Sequence, residues 1–506
     1  MIVPTSASAA TTRRPGGSAA PPRTVIFGAI SLLCAAAYAF AIVASGGDVM
    51  LLLPLAGAIV VLGICAYPTL GLFVLFASAI LFEQVRLSGI EPPITETKFF
   101  VNINAYTPLP IRLSIPDLLM LLTGVALAAR RFGATHQRLR MGAFGWAVLG
   151  YVGVFVLGTV IGVARGASWN ADVALTESRA PVQLALAYFL TANLVREHRQ
   201  LSVFLWLFVL VSAVKAVQIL GNGQAAADLS YTLRTISSHE DVIFIGAAIA
   251  LALVAVLVGH RSRLVFVLFA LQPLFVVAEF VAYRRVGLIA LAVMCLVIML
   301  MALFTRPRRA AVLGALACVG LGLYLLIFWD ATGPAAEPLR AMRSVVDASA
   351  TSLVDQASNA FRDTEHENIG YTIRELPLTG VGVGQRYLFE RDVADISFPY
   401  WRFITHDALL WLWLKAGPLG AFALWFLVAR AVLVGSDLFR RLSAPALQWV
   451  VALPVTLVVL QVVFSSVDLG LTYSRTMIVL GTSLGLAAFV AEEQQTKTTS
   501  ASQWPD

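Results

Sequence analysis

Residues 376–420 read LPLTGVGVGQRYLFERDVADISFPYWRFITHDALLWLWLKAGPLG, and this stretch decides the fold. Its first half closes the only long polar interval of the chain, residues 330–406. Its second half, from Ala408, turns directly into an apolar helix. A loop that delivers its polar groups to the start of an apolar helix is what a bilayer surface asks for, because backbone entering hydrocarbon must pair with itself.

The rest of the chain agrees. Of its 506 residues, 59% are hydrophobic and only 13% are charged. A soluble domain carries roughly 25% charged residues. The apolar residues come in unbroken runs, as a bilayer core requires of helices of about 20 residues. No ten-residue alternation is present, which argues against spanning strands. The expected fold is an all-α polytopic integral membrane protein of about 12–14 transmembrane helices with one long extracytoplasmic loop. The expected spans are 25–44, 49–66, 69–82, 115–129, 143–163, 180–195, 201–220, 242–258, 263–282, 286–304, 311–329, 407–434, 447–466 and 473–491. Residues 1–24 read as a disordered tail, 25–329 as an N-terminal transmembrane bundle, 330–406 as the large loop, 407–491 as C-terminal transmembrane helices and 492–506 as a second tail. Leu353, Ala357 and Ala360 suggest short helices inside the loop.

Net charge is +7. The arginines fall in alternate short connections: Arg130, Arg131, Arg138 and Arg140; Arg196 and Arg199; Arg261 and Arg263; Arg306, Arg308 and Arg309; Arg440 and Arg441. Positive charge retained on the cytoplasmic side explains this pattern without a nucleic-acid partner. Both termini are then expected in the cytoplasm, with residues 83–114, 164–179, 221–241 and 330–406 on the outer side. The cysteines Cys34, Cys65, Cys295 and Cys318 all lie in apolar runs and read as packing residues.

Several groups are capable of chemistry. Gly380, Gly382 and Gly384 suit either a tight turn or a close approach of backbone to a ligand. His406 is read into the first turn of the helix that follows, where it either caps the helix or serves as a neutral general base. Gly417-Pro418 is expected to break that helix. Arg179, Arg234, Arg284 and Arg285 stand on the side where basic residues are disfavoured, so each needs a carboxylate such as Glu279, a lipid headgroup or an anionic substrate. Lys215 and Glu279 lie within spans, as an ion pair or as functional groups. His239, Glu240 and Asp241 with Glu365, His366, Glu367 or His406 offer metal-binding side chains without a metal-site spacing, so no metal or other cofactor is expected.

Pro377-Leu-Thr-Gly380-Val-Gly382-Val-Gly384, followed by His406-Asp407 and Lys415-Ala-Gly417-Pro-Leu-Gly420, resembles the C-terminal signature of the O-antigen ligase and polymerase superfamily. Arg234-Thr-Ile-Ser-Ser-His-Glu-Asp and Tyr283-Arg284-Arg285-Val-Gly-Leu are similar to its upstream arginine motifs. The chain departs from the pattern at Asp407, where Asn is usual, at Lys415, where Glu is usual, and at Arg284, where Ser is usual. The resemblance implies a glycosyltransferase of the bacterial cytoplasmic membrane. It would pass a glycan from undecaprenyl diphosphate to a glycan or glycolipid acceptor at the outer face, without a metal. It would work in contact with membrane lipid and alongside other envelope-polysaccharide assembly proteins. It also implies that His406 activates the acceptor, while Arg234, Arg285, Arg284, Arg179 and Arg402, with Gly382, Gly384 and Asp407, hold the substrate. The alternative is a lipid-linked oligosaccharide flippase or polysaccharide exporter, for which paired halves and broken midplane helices are expected.

Overall fold

The computed structural model describes residues 52–84, 98–134, 139–166, 168–228, 236–282, 284–331, 353–393 and 398–502, with isolated positions at 39, 333, 336, 339–340, 343 and 396. The expected span 25–44, apart from position 39, and Arg234 and Tyr283 lie outside these residues. The chain forms two units, residues 1–62 and 63–506. The described part of the first is essentially the beginning of helix α1 (Leu52–Ala66).

The second unit is built of helices α2 (Pro68–Leu81), α3 (Ile115–Ala134), α4 (Gly145–Arg165), α5 (Ala171–Leu194), α6 (His198–Asp228), α7 (Asp241–Val258), α8 (Arg263–Val281), α9 (Arg285–Leu303), α10 (Pro307–Phe328), α11 (Leu353–Glu375), α12 (Ala408–Arg441), α13 (Pro445–Ser465) and α14 (Ser474–Ser502). No strand occurs among the described residues. The protein is therefore an all-α polytopic membrane protein. Nine of the described helices are long and apolar enough to cross a membrane, namely α4, α6 to α10 and α12 to α14. α2 is apolar but shorter, and α5 carries Asp172, Glu177 and Arg179 in its first turns. Those charges explain why α5 begins well before the apolar run at residue 180. Asn170 caps it by accepting from Asp172 N at 2.9 Å and Val173 N at 3.2 Å, and the charged turns find partners of their own.

Burial sets the layering. α14 is almost wholly enclosed, α7 and α13 largely so, and α10 has an entirely exposed apolar surface that suits lipid. α14 lies along α5, where Gly481 and Gly485 leave room for Leu184 and Thr191.

Because neighbouring helices run in alternate directions, connections sort to two ends. One end holds those after α3, α5, α7, α9 and α12. There Arg131 reaches Asn193 at 2.7 Å, Arg140 reaches Glu492 at 3.1 Å and Arg309 reaches the Leu257 carbonyl at 3.2 Å. The other end holds those after α2, α4, α6, α8, α10 and α13, and it carries every candidate catalytic side chain. It is called the site end below.

A buried charge knot ties the helices at the site end. Arg475, at the start of α14, pairs with Glu83 at 3.0 Å, Glu240 at 2.9 Å and Asp241 at 2.7 Å. Lys215 joins Glu83 and, at 3.3 Å, Asp241. Of the two readings of Lys215 and Glu279, the ion pair between them is not formed. Both oxygens of the buried Glu279 are without a hydrogen-bond partner among the described residues.

The long polar interval also differs from the expected short helices, since its middle is one helix of 23 residues, α11. Ile369 and Ile373 of α11 pack with Val381, Tyr387 and Leu414, so the helix is pinned to the glycine segment and to α12.

Candidate functional site

The glycine segment positions everything else. Val383 N donates to the Gly158 carbonyl of α4 at 2.8 Å. Val381 N and Gly382 N donate to the Leu414 and Lys415 carbonyls of α12 at 2.7 and 3.1 Å. Gly382 has φ 96°, and a Cβ there would stand 2.3 Å from Gly162 N. Only glycine fits that backbone and that gap. Gly382 and Gly384 are buried, and their close approach is to the protein's own α4 and α5. Of the two readings of the glycines, the structure displays the tight packing turn.

Lys415 follows from the same packing. It is buried, 2.8 Å from Glu177 Oε1 and 2.5 Å from the Gln385 carbonyl that it donates to. Glu177 also accepts from Gly384 N at 2.5 Å. The departure at position 415 is thus balanced by a carboxylate on α5. Two residues on, Gly417 leaves helical geometry at φ 64° and ψ −157°, and α12 kinks there as expected.

This frame delivers His406 and Asp407 to α11. Asp407 is the N-cap of α12, accepting from Leu409 N at 3.0 Å and Leu410 N at 2.9 Å through Oδ1. His406 therefore precedes the cap and is not in the helical turn. Its environment is set by α11. Glu365, fully buried, accepts from His406 N at 3.0 Å and faces Nδ1 at 3.2 Å. Phe361 meets the ring edge-on at 5.5 Å. A carboxylate at Nδ1 fixes the proton there and leaves the Nε2 lone pair free in the neutral ring. Nε2 has no partner among the described residues, and the side chain is 21% exposed.

The next residue along α11 makes the reciprocal pairing. His366 Nε2 lies 3.1 Å from Asp407 Oδ2, and Nδ1 lies 3.0 Å from the Arg362 carbonyl. Both nitrogens face acceptors, which the imidazolium satisfies. Its pKa is raised accordingly, first by the hydrogen bond to Asp407, against the opposing effect of burial. Two adjacent histidine–carboxylate pairs, Glu365–His406 and His366–Asp407, thus lock α11 to the head of α12.

The arginines differ from one another. Arg179 is committed, donating to Asn102 at 2.5 Å and the Arg112 carbonyl at 3.0 Å, with Asp117 at 3.4 Å. Arg402 lies over Trp401 at 4.6 Å. Arg285 opens α9 and is half-buried. Arg284 stands out, because its Nε and Nη2 are buried without a hydrogen-bond partner among the described residues. Burial weakens its hold on the proton, while Asp468, Tyr473 and Glu240 strengthen it and Arg362 opposes. Arg362 is one turn before Glu365 and His366 on α11, so Arg284 feels charge both from that helix and from the connection 466–473.

On that connection Asp468 faces His239 Nδ1 at 2.6 Å and accepts from Tyr473 Oη at 2.8 Å. Among the described residues no three His, Cys, Asp or Glu side chains converge as a metal-binding group. His239, His366 and His406 each have a separate carboxylate.

Glu365 as a partner for His406, Glu177 for Lys415, and the pair Asp468–Tyr473 were not singled out from sequence. The signal available was the buried acid itself, a carboxylate within or beside an apolar helix. No family model matches this sequence, and no curated protein matches it.

Proposed function

We propose that the protein transfers a glycan from a polyprenyl diphosphate to an acceptor hydroxyl, as a polysaccharide polymerase or ligase of the cytoplasmic membrane with the site end facing outward. The observation that carries this reading is His406, held at Nδ1 by buried Glu365 with Nε2 unpartnered. A ring so held accepts the proton of an attacking hydroxyl. The donor carries its own leaving group, so the remaining need is for cations where charge develops on the diphosphate. Arg284, with two guanidinium nitrogens unpartnered, suits that need; Arg285 is next to it in the chain, and Arg234 is the further arginine that the resemblance assigns.

A small apolar crevice is lined by Tyr151 and Leu184 with Leu424, Leu427 and Val458. Leu471, from the connection that carries Asp468, completes it at the site end. The orientation follows from the arginines gathered at the opposite end, the side retained in the cytoplasm.

Cells lacking the gene, complemented with wild type or His406→Ala at matched membrane levels, test this. The proposal expects His406→Ala to leave the lipid-linked precursor outside and untransferred. Normal product from that variant would sink it.

A further inference from the structure

His239 lies outside the acceptor-side machinery described above, yet it is built in the same manner. Its Nδ1 meets the buried Asp468 at 2.6 Å. The other carboxylate oxygen of Asp468 is occupied by Leu469 N at 2.7 Å and Tyr473 Oη at 2.8 Å. The carboxylate is therefore fixed and cannot turn away. Burial alone would raise its pKa, but His239, Leu469 N and Tyr473 together hold it far below the usual carboxylate range. It remains an anion, so the proton of the pair stays on His239 Nδ1. His239 is 37% exposed at its side chain, and Nε2 has no partner among the described residues. The same Asp468 and Tyr473 supply the field that acts on Arg284, whose unpartnered nitrogens are buried beside them.

We propose that His239 is a second functional histidine, one that hydrogen-bonds the leaving diphosphate through Nε2–H next to Arg284. This rests on the glycosyl-transfer reading and adds a residue to it. In the step, the acceptor oxygen bonds to the anomeric carbon and its proton goes to His406 Nε2. The anomeric carbon–oxygen bond breaks, and its electron pair stays on the phosphate oxygen. That oxygen accepts from His239 Nε2–H and from Arg284, so no net proton is taken from His239. Asp468 keeps the ring turned towards the anion, and once the diphosphate is bound both ring nitrogens face acceptors, which the doubly protonated ring satisfies. Asp468 meets the ring directly, Tyr473 donates to the same carboxylate, and Asp468, Tyr473 and Glu240 act together on Arg284.

The test is binding of undecaprenyl diphosphate to full-length protein in lipid nanodiscs, read without any acceptor. Wild type, His239→Ala, His239→Gln, Asp468→Asn and Arg284→Gln are compared, each with a thermal melt. The expected result is at least a tenfold weaker affinity for His239→Ala at pH 6.5 with an unchanged melt. His239→Gln, which keeps a side-chain donor, should recover part of the lost affinity. If His239→Ala and His239→Gln bind like wild type while Arg284→Gln does not, the role of His239 is overturned and the transferase reading survives. If wild type itself fails to bind the diphosphate, both are overturned.

Discussion

At the residue scale the central object is the Glu365–His406 pair. Glu365→Gln keeps the shape but loses the charge that holds the proton on Nδ1. It is expected to slow transfer on the order of 10²–10⁴-fold, as loss of a base or its orienting carboxylate does. Nitrogen-15 shifts of His406 should move with it, which a purely structural role for Glu365 would not produce. The neighbouring His366 gives a different prediction. Its pKa is raised above the ordinary value of about 6.5, chiefly by Asp407. A raised imidazole contributes its stability in full below the unfolded pKa and loses it as pH climbs through the folded one. Docking of α11 on α12 should therefore loosen towards alkaline pH. Hydrogen exchange along Leu353–Glu375 at pH 6 and pH 9 measures this, and His366→Gln should abolish the difference.

At the scale of elements, the glycine segment serves as a fastener. Gly382→Ala pushes a methyl into Gly162 and strains a backbone at φ 96°. A loss of stability of at least about 1–3 kcal/mol is expected, visible as a lower melting temperature in detergent. Lys415→Met leaves Glu177 buried and unpaired, a change that typically costs about 3–5 kcal/mol. The double variant Lys415→Met with Glu177→Gln should recover most of it, which a double-mutant cycle reads directly.

Sequence alone reached the helices and missed their polar partners, and the reason is physical. An apolar run of helical length declares itself within its own residues, so the spans from 49–66 onward coincide with helices. The kink at Gly417 was equally local. Partners are not local: Glu177 and Lys415 are 238 positions apart by number, and Lys215 has both Glu83 and Asp241 to choose from. Periodicity also understated α11, whose Glu365 and His366 meet His406 and Asp407 while Ile369 and Ile373 pack in a core. His406 was legible as a candidate, but its proton state depended on a carboxylate 41 positions away.

At the scale of the whole molecule, function and stability meet at one end of the bundle. Arg475 gathers Glu83, Glu240 and Asp241 there, and Glu240 adjoins His239 in the chain. Arg475→Met would leave three buried carboxylates with Lys215 alone. It is expected to lower the melting temperature strongly and to impair transfer only through misfolding, so any correctly folded fraction keeps its affinity for the diphosphate.

The most direct measurement uses lipid-linked donor extracted from cells lacking the gene, supplied to purified protein in nanodiscs with total envelope glycan as acceptor. Free undecaprenyl diphosphate and elongated or ligated glycan are followed by mass spectrometry. The account predicts both products with wild type and neither with His406→Ala, although the variant still binds the donor. Equal release of diphosphate by the two proteins, or no release by wild type, would contradict it.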